Sequence, residues 1–173
     1  MPLGTDTKQY ETPNHPYQGG RIADEHALLD RYGLKNKEEL WRAQSRLRSF
    51  RREARDLLAQ SQTEATVVRR RREFMNSLRR TGVLDDEDTL GDVLSLEIED
   101  VLERRLQTVV YRKGLANTPQ QARQFITHGH IILGEQGQRR PSYIVDVSEE
   151  NLVAFNQHSP LADELHPERA EEQ

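Results

Sequence analysis

No cysteine occurs in the 173 residues, which removes disulfides, zinc ribbons, iron–sulfur clusters and thiol nucleophiles together. Aromatic side chains are scarce at 6%, and apolar residues reach only 34%, against about 45–50% in an ordinary globular domain. A chain this short and polar holds one or two modest cores and is ill suited to a large catalytic domain. The longest apolar runs, such as Ile131-Ile132-Leu133, fall far below the roughly 20 residues needed to cross a bilayer, so no membrane role is expected. MPLGTDTKQYETPNHP at the start has neither a charged leader nor an apolar run, so no secretory signal and a cytoplasmic location are expected. Lysine is nearly missing too. Of 25 positive charges only Lys8, Lys35, Lys37 and Lys113 are lysines, the rest being arginine, whose planar guanidinium suits phosphate forks and base stacking.

Sites for small-molecule chemistry are equally thin. GxxxxGK[ST], GxGxxG and GxSxG do not occur, so nucleotide cradling and an esterase elbow have no motif to rest on. His128 and His130 form a pair without a third ligand at metal spacing. Asp85, Asp86, Glu87 and Asp88 have no apolar surroundings to raise one of their pKa values for acid catalysis. Neither an enzyme nor a cofactor or metal is expected.

The net charge of −4 hides a strong segregation. Residues 42–80 carry twelve basic and four acidic side chains and residues 104–143 seven and one, whereas 81–103 carry nine acids and no base. Two basic blocks therefore sit in an acidic chain. Such blocks are either solvated helix faces or an electrostatic footprint for nucleic acid.

The pattern along the chain predicts an α+β fold. Residues 1–20, rich in proline and glycine, read as an extended arm without a local core for Tyr10 or Tyr17. A helical unit follows over 21–97. Its first helix is expected from Ile22 to Tyr32 with Gly33 as its stop. A long second helix is capped by Asn36, with Leu40, Ala43, Leu47, Phe50, Ala54 and Leu57 inward and Arg42, Arg46, Arg48, Arg51, Arg52 and Arg55 off that face. A third helix over 64–80 has Val68, Met75 and Leu78 inward and exposes the run Arg69, Arg70, Arg71 and Arg72, and residues 83–95 read as an acidic connector.

Over 98–153 the spacing predicts a small module of two helices and a hairpin. Leu102, Leu106, Val109 and Val110 mark one helical face ended by Gly114. Thr118, Pro119 and Gln121 open the next helix, and Gly129 closes it. The hairpin pairs His130–Leu133 with Ser142–Val147 around GEQG. An acidic tail over 154–173 is expected to be disordered. Arg104, Arg105, Thr108 and Arg112 on the first module helix, and Gln121, Arg123, Gln124 and His128 on the second, avoid the apolar positions. With Arg139 and Arg140 on the hairpin and His130 and Tyr143 beside it, they form a candidate RNA face. The basic block of the helical unit adds Arg48, Arg51, Arg52, Arg69 and Arg70.

LERRLQTVVYRKGLANTPQQARQFITHGHIILG, followed by RRPSYIVDV, resembles the S-four RNA-binding module of the small-ribosomal-subunit protein four family. ETPNHPYQ and DRYGLKNKEELWRAQSRLRSFRREAR resemble its archaeal and eukaryotic branch, so the likeness spans nearly the whole chain. The absent four-cysteine zinc site agrees with that branch, and the acidity suggests a salt-adapted archaeal source. The resemblance implies a structural constituent of the cytoplasmic ribosome that is not a stable homo-oligomer. It would bind small-subunit rRNA early in assembly, near the path of the messenger and the decoding region, with small-subunit proteins three and five as neighbours. By motif match Arg104, Arg105, Arg112, Gln121, Arg123, Gln124, His128, His130, Arg139 and Arg140 would face rRNA. An RNA-binding protein acting off the ribosome, as a biogenesis factor or translational regulator, is the alternative.

Overall fold

The computed structural model describes residues 9–60, 64–163 and 166–169. The helical half comprises α1 (Gly19–Tyr32), α2 (Lys37–Ala59) and α3 (Ala65–Arg80), followed by a 3₁₀ turn at Asp92–Leu94. Asn36 caps α2 as its sequence position requires, its side-chain oxygen accepting the Glu39 amide at 3.2 Å. Gly33 ends α1 at φ 58°, where the Leu34 amide reaches back to the Leu29 carbonyl. Apolar residues of α1, α2 and α3 enclose one core centred on Leu40, Leu57, Leu90, Val93 and Leu102.

Two expectations for this half are corrected. Val68 is 40% exposed and Val67 takes the inward place with Phe74, Met75 and Leu78, because the helix is rotated so that the stripe 67–74–78 meets the core. Residues 83–95 do not form a solvated connector: Leu84, Leu90 and Val93 are buried in the core, and the acids between them face outward. The arm is also less independent than its composition suggests. Glu11 pairs with Arg48 at 2.7 Å, and the Tyr10 ring lies 5.9 Å from Trp41 with the Arg42 guanidinium 5.5 Å from its centroid. Tyr17 remains 93% exposed.

The second half carries α4 (Ile98–Glu103), α5 (Leu106–Arg112), α6 (Pro119–His128), β1 (Ile131–Leu133), β2 (Gln136–Gly137), α7 (Val147–Glu150) and β3 (Val153–Phe155). The helix expected to run from α4 through α5 is broken at Arg104-Arg105, where the extended backbone of Arg105 pairs antiparallel with Ile144. The break is stabilised because the Leu106 and Gln107 amides, unsatisfied at the start of α5, donate to the carbonyls of Tyr143 (2.7 Å) and Pro141 (3.2 Å). The end of α5 follows its sequence signals, with Gly114 at φ 70° and the Leu115 amide returning to the Val110 carbonyl. Thr118 caps α6 as expected, its hydroxyl oxygen accepting the Gln121 amide at 3.1 Å.

The hairpin has different partners from those the alternation suggested. β1 is central, pairing with β2 through Leu133 and Gln136 and with β3 through Ile132 and Ala154, both antiparallel. Ser142–Val147 forms no strand beyond the bridge at Ile144, and Val147 begins α7. Three-residue strands carry too little alternation to reveal their register, and β3 lies in a segment read as the start of a tail. That reading is corrected for residues 154–163 and 166–169. Phe155 packs on Phe125, Leu161 is buried in the module core, and the Arg169 guanidinium lies 5.2 Å from the Phe155 ring centroid. Residues 164–165 and 170–173 lie outside the described residues. Leu161→Ala is accordingly expected to lower stability by about 2–3 kcal/mol, and a denaturant melt unchanged from the parent would place Leu161 outside the core.

Candidate nucleic-acid interface

The two halves meet along α2. Glu39, one residue before the inward stripe begins at Leu40, turns its carboxylate toward the module and takes two guanidinium groups from it. Arg105 Nη2 donates to Oε2 at 2.7 Å, while Arg123 donates from Nη2 to Oε1 at 2.5 Å and from Nη1 to Oε2 at 3.2 Å. The Arg105, Glu39 and Arg123 side chains are 6%, 14% and 22% exposed. Beside them Gln107, fully buried, donates from Nε2 to the Gly33 (2.8 Å), Pro119 (2.9 Å) and Tyr32 (3.1 Å) carbonyls and accepts from Arg123 at 3.2 Å.

Burial acts to raise the Glu39 carboxyl, but the guanidinium groups of Arg123 and Arg105 outweigh it and hold the group below the ordinary value of 4.5. A carboxyl depressed in the folded state contributes stability above its unfolded pKa and loses it as pH falls through the lower folded value. The melting temperature is therefore expected to fall on acidification below about pH 4.5. Glu25 and Glu103, depressed likewise against their own burial by Trp41, Lys37 and Arg21 and by Arg112 and Tyr32, act in the same window. A melting temperature flat down to pH 2 would contradict this.

Next to this joint a groove of about 800 Å³ runs between α2 and the segment 140–144. Arg42, Arg46, Ser49 and Phe50 form one wall and Arg140, Ser142, Tyr143 and Ile144 the other, with Glu39 and Arg105 between them. Glu39 is the one acid lining the groove among the described residues, and it is spent on Arg105 and Arg123. The Arg46 and Arg140 side chains are exposed and make no ion pair or hydrogen bond among the described residues. Two guanidinium groups without a side-chain partner among the described residues thus line one opening together with the Phe50 and Tyr143 rings, an arrangement that suits a phosphate backbone.

The sequence-selected cations fall into two classes. The Arg52, Arg139 and Arg140 side chains are exposed without an ion pair or hydrogen bond among the described residues, and Gln124 and His128 are also exposed. The others are engaged within the chain. Arg104 donates to the Val145 carbonyl at 3.1 Å and to Glu150 at 3.0 Å, and Arg105 and Arg123 serve Glu39. Arg51 donates to the Leu96 carbonyl, and Gln121 receives the Asn117 amide at 2.6 Å while donating to the Glu168 carbonyl. Arg48, Arg69 and Arg70 remain accessible in exposed pairs with Glu11, Glu73 and Glu53, pairs weak enough to yield to phosphate, and Arg112, itself exposed, holds Glu103 through two nitrogens.

Placing Arg105 and Thr108 off the buried face is corrected: both are 5% exposed, because the helix break re-aims α5 and turns them inward. His130 and Tyr143 are half-buried, with His130 Nδ1 2.8 Å from the Ser159 hydroxyl and the Tyr143 hydroxyl donating to Glu149 at 3.0 Å. Burial, with His128 and His166 nearby, lowers the His130 pKa and favours the neutral ring. The RNA face expected from the sequence leaves out Arg46, Arg71, Arg72 and Gln107. Arg46 had a signal, since it lies one turn after Arg42 on a face that bears no apolar residue, whereas a buried glutamine has none.

The sequence from 104 to 151 matches the S4 domain. The whole chain is 62% identical to small ribosomal subunit protein uS4 of Natronomonas pharaonis over 174 residues, covering 100% of both chains. The chain belongs to the uS4 family. Small ribosomal subunit protein uS4 of Haloarcula marismortui is 62% identical over 100% of this chain, and that of Methanococcus aeolicus is 51% identical over 95% of it and 93% of its own length. A uS4 chain is a structural constituent of the small ribosomal subunit and not an enzyme. The relatives support the archaeal branch, and those from halophiles support salt adaptation as the setting of its acidity.

Proposed function

We propose that this uS4 chain binds small-subunit rRNA through the groove between α2 and the module, with Arg46 and Arg140 as its central phosphate ligands. Arg52, Gln124, His128 and Arg139 extend that contact over the flanking surface. The observation that carries the reading is the pair of guanidinium groups, without side-chain partners among the described residues, on the two walls of a groove whose one acid among those residues is already paired. Arg104, Arg105 and Arg123 support this surface from beneath, and Arg48, Arg69, Arg70, Arg71, Arg72 and Arg112 reach rRNA by exchanging or lacking carboxylate partners. Early binding to an rRNA junction, a place near the messenger path, and small-subunit proteins three and five as neighbours rest on the family resemblance.

The direct test is titration of small-subunit rRNA, with large-subunit rRNA as competitor, at several salt concentrations. Saturable one-to-one binding that survives the competitor is expected, together with stoichiometric recovery of the protein in high-salt-washed small subunits. Binding that the competitor abolishes at equal mass, or absence from the washed subunits, would defeat the reading. Cross-linking within the subunits would identify the protein neighbours.

A further inference from the structure

We propose that Glu39 is a positioning residue for rRNA binding: by holding Arg105 and Arg123 together, it fixes the two walls of the groove in one preformed orientation. This rests on the groove reading above and adds to it how the groove is built. The two apolar cores are separate clusters, the first taking in Val101 and Leu102 of α4 and the second beginning at Leu106, so no shared core sets the angle between the helical unit with α4 and the remainder of the module. The polar joint does so by a short path. Arg46 lies seven residues after Glu39, two turns along the same face of α2. On the other side, the Arg105 side chain grips Glu39 while the next residues are tied by their amides to segment 141–143. The Gln107 amide donates to the Pro141 carbonyl, the residue after Arg140. Glu39, Arg105, Gln107 and Pro141 thus connect the Arg46 wall to the Arg140 wall.

Gln107 closes the joint from below. Its amide group holds the α1–α2 turn against the start of α6, where a Cβ on Gly33 would stand 2.8 Å from Pro119 Cβ. An exposed ion pair across this joint, such as Arg80 with Asp146, is screened where the Debye length is about 3 Å at molar salt. The buried triad is not. A buried ion pair adds little net stability compared with apolar packing, and fixing one arrangement among several is its best-attested use.

The absence of cysteine makes the test clean, because spin labels attach only where Asp56→Cys on α2 and Glu135→Cys on the β1–β2 turn place them. In Glu39→Gln, measured well below its melting temperature, the inter-label distance distribution is expected to broaden. Affinity for small-subunit rRNA should fall about ten-fold at every salt concentration if the competent orientation drops to roughly one-tenth of the population. The log–log salt slope should stay at the parental value, because no phosphate contact is lost. Gln107→Met, which changes no charge, should give the same three results and decides the matter if Glu39→Gln does not fold.

A parental distance distribution with weakened binding, or a broadened one with parental binding, would overturn the proposal. So would a steeper salt slope, which would mean that Glu39 withholds Arg105 and Arg123 from phosphate. Failure of the groove reading is seen separately, as parental binding by an Arg46→Gln, Arg140→Gln variant whose distance distribution is unchanged.

Discussion

The triple variant Arg104→Gln, Arg105→Gln, Arg123→Gln is expected to melt about 10 °C or more below the parent. From the sequence, these arginines lie off the apolar helix positions, and neutral surface changes of that kind usually cost within about 0.5 kcal/mol. The structure reverses the expectation. Glu39, 14% exposed, would lose both guanidinium partners at once, and stripping the partners from a buried charge costs about 3–5 kcal/mol. Arg104 would also release the Val145 carbonyl and Glu150. For a protein of this size each kcal/mol moves the melting temperature by about 2–4 °C. Glu39 would answer the loss by taking up a proton more readily, so the deficit should shrink toward acidic pH. Thermal melts at pH 7 and pH 4 check both points, with Arg52→Gln as the exposed control. A triple variant melting within 2 °C of the parent at pH 7 would show that the joint contributes nothing.

Arg46→Gln with Arg140→Gln should behave in the opposite way, folding like the parent while losing rRNA affinity by about a hundred-fold. Both side chains are exposed and make no hydrogen bond or ion pair among the described residues, so the fold has little to lose. Each charge-assisted contact to phosphate is worth about 1.5 kcal/mol or somewhat more, and two of them account for that loss. The slope of log affinity against log salt should flatten by roughly 0.7–0.9 for each contact removed. Titrations at four or more salt concentrations separate this from a general charge effect, which Arg169→Gln controls for. Its guanidinium lies on Phe155, away from the groove, so that variant should keep the parental slope. If the double variant binds with unchanged affinity and slope, the rRNA lies elsewhere on the molecule.

What the sequence by itself determined are the features written in a few adjacent residues. The Asn36 and Thr118 caps, the glycine stops at 33, 114 and 129, and the inward stripe Leu40–Ala43–Leu47–Ala54–Leu57 all follow from local hydrogen bonding and helical period. The same locality made the two basic blocks and the family's module visible. The tertiary structure alone decided which basic residues stay free. Arg105 and Arg123 are spent because Glu39, sixty-six residues before the one and eighty-four before the other, arrives beside them. The helix broken at Arg104, the strand at 153–155 and the buried Gln107 likewise depend on carbonyls and chains far away in sequence. An arginine's periodicity places it on a face but does not say whether that face meets a carboxylate or solvent, since that is set by packing between elements rather than within them.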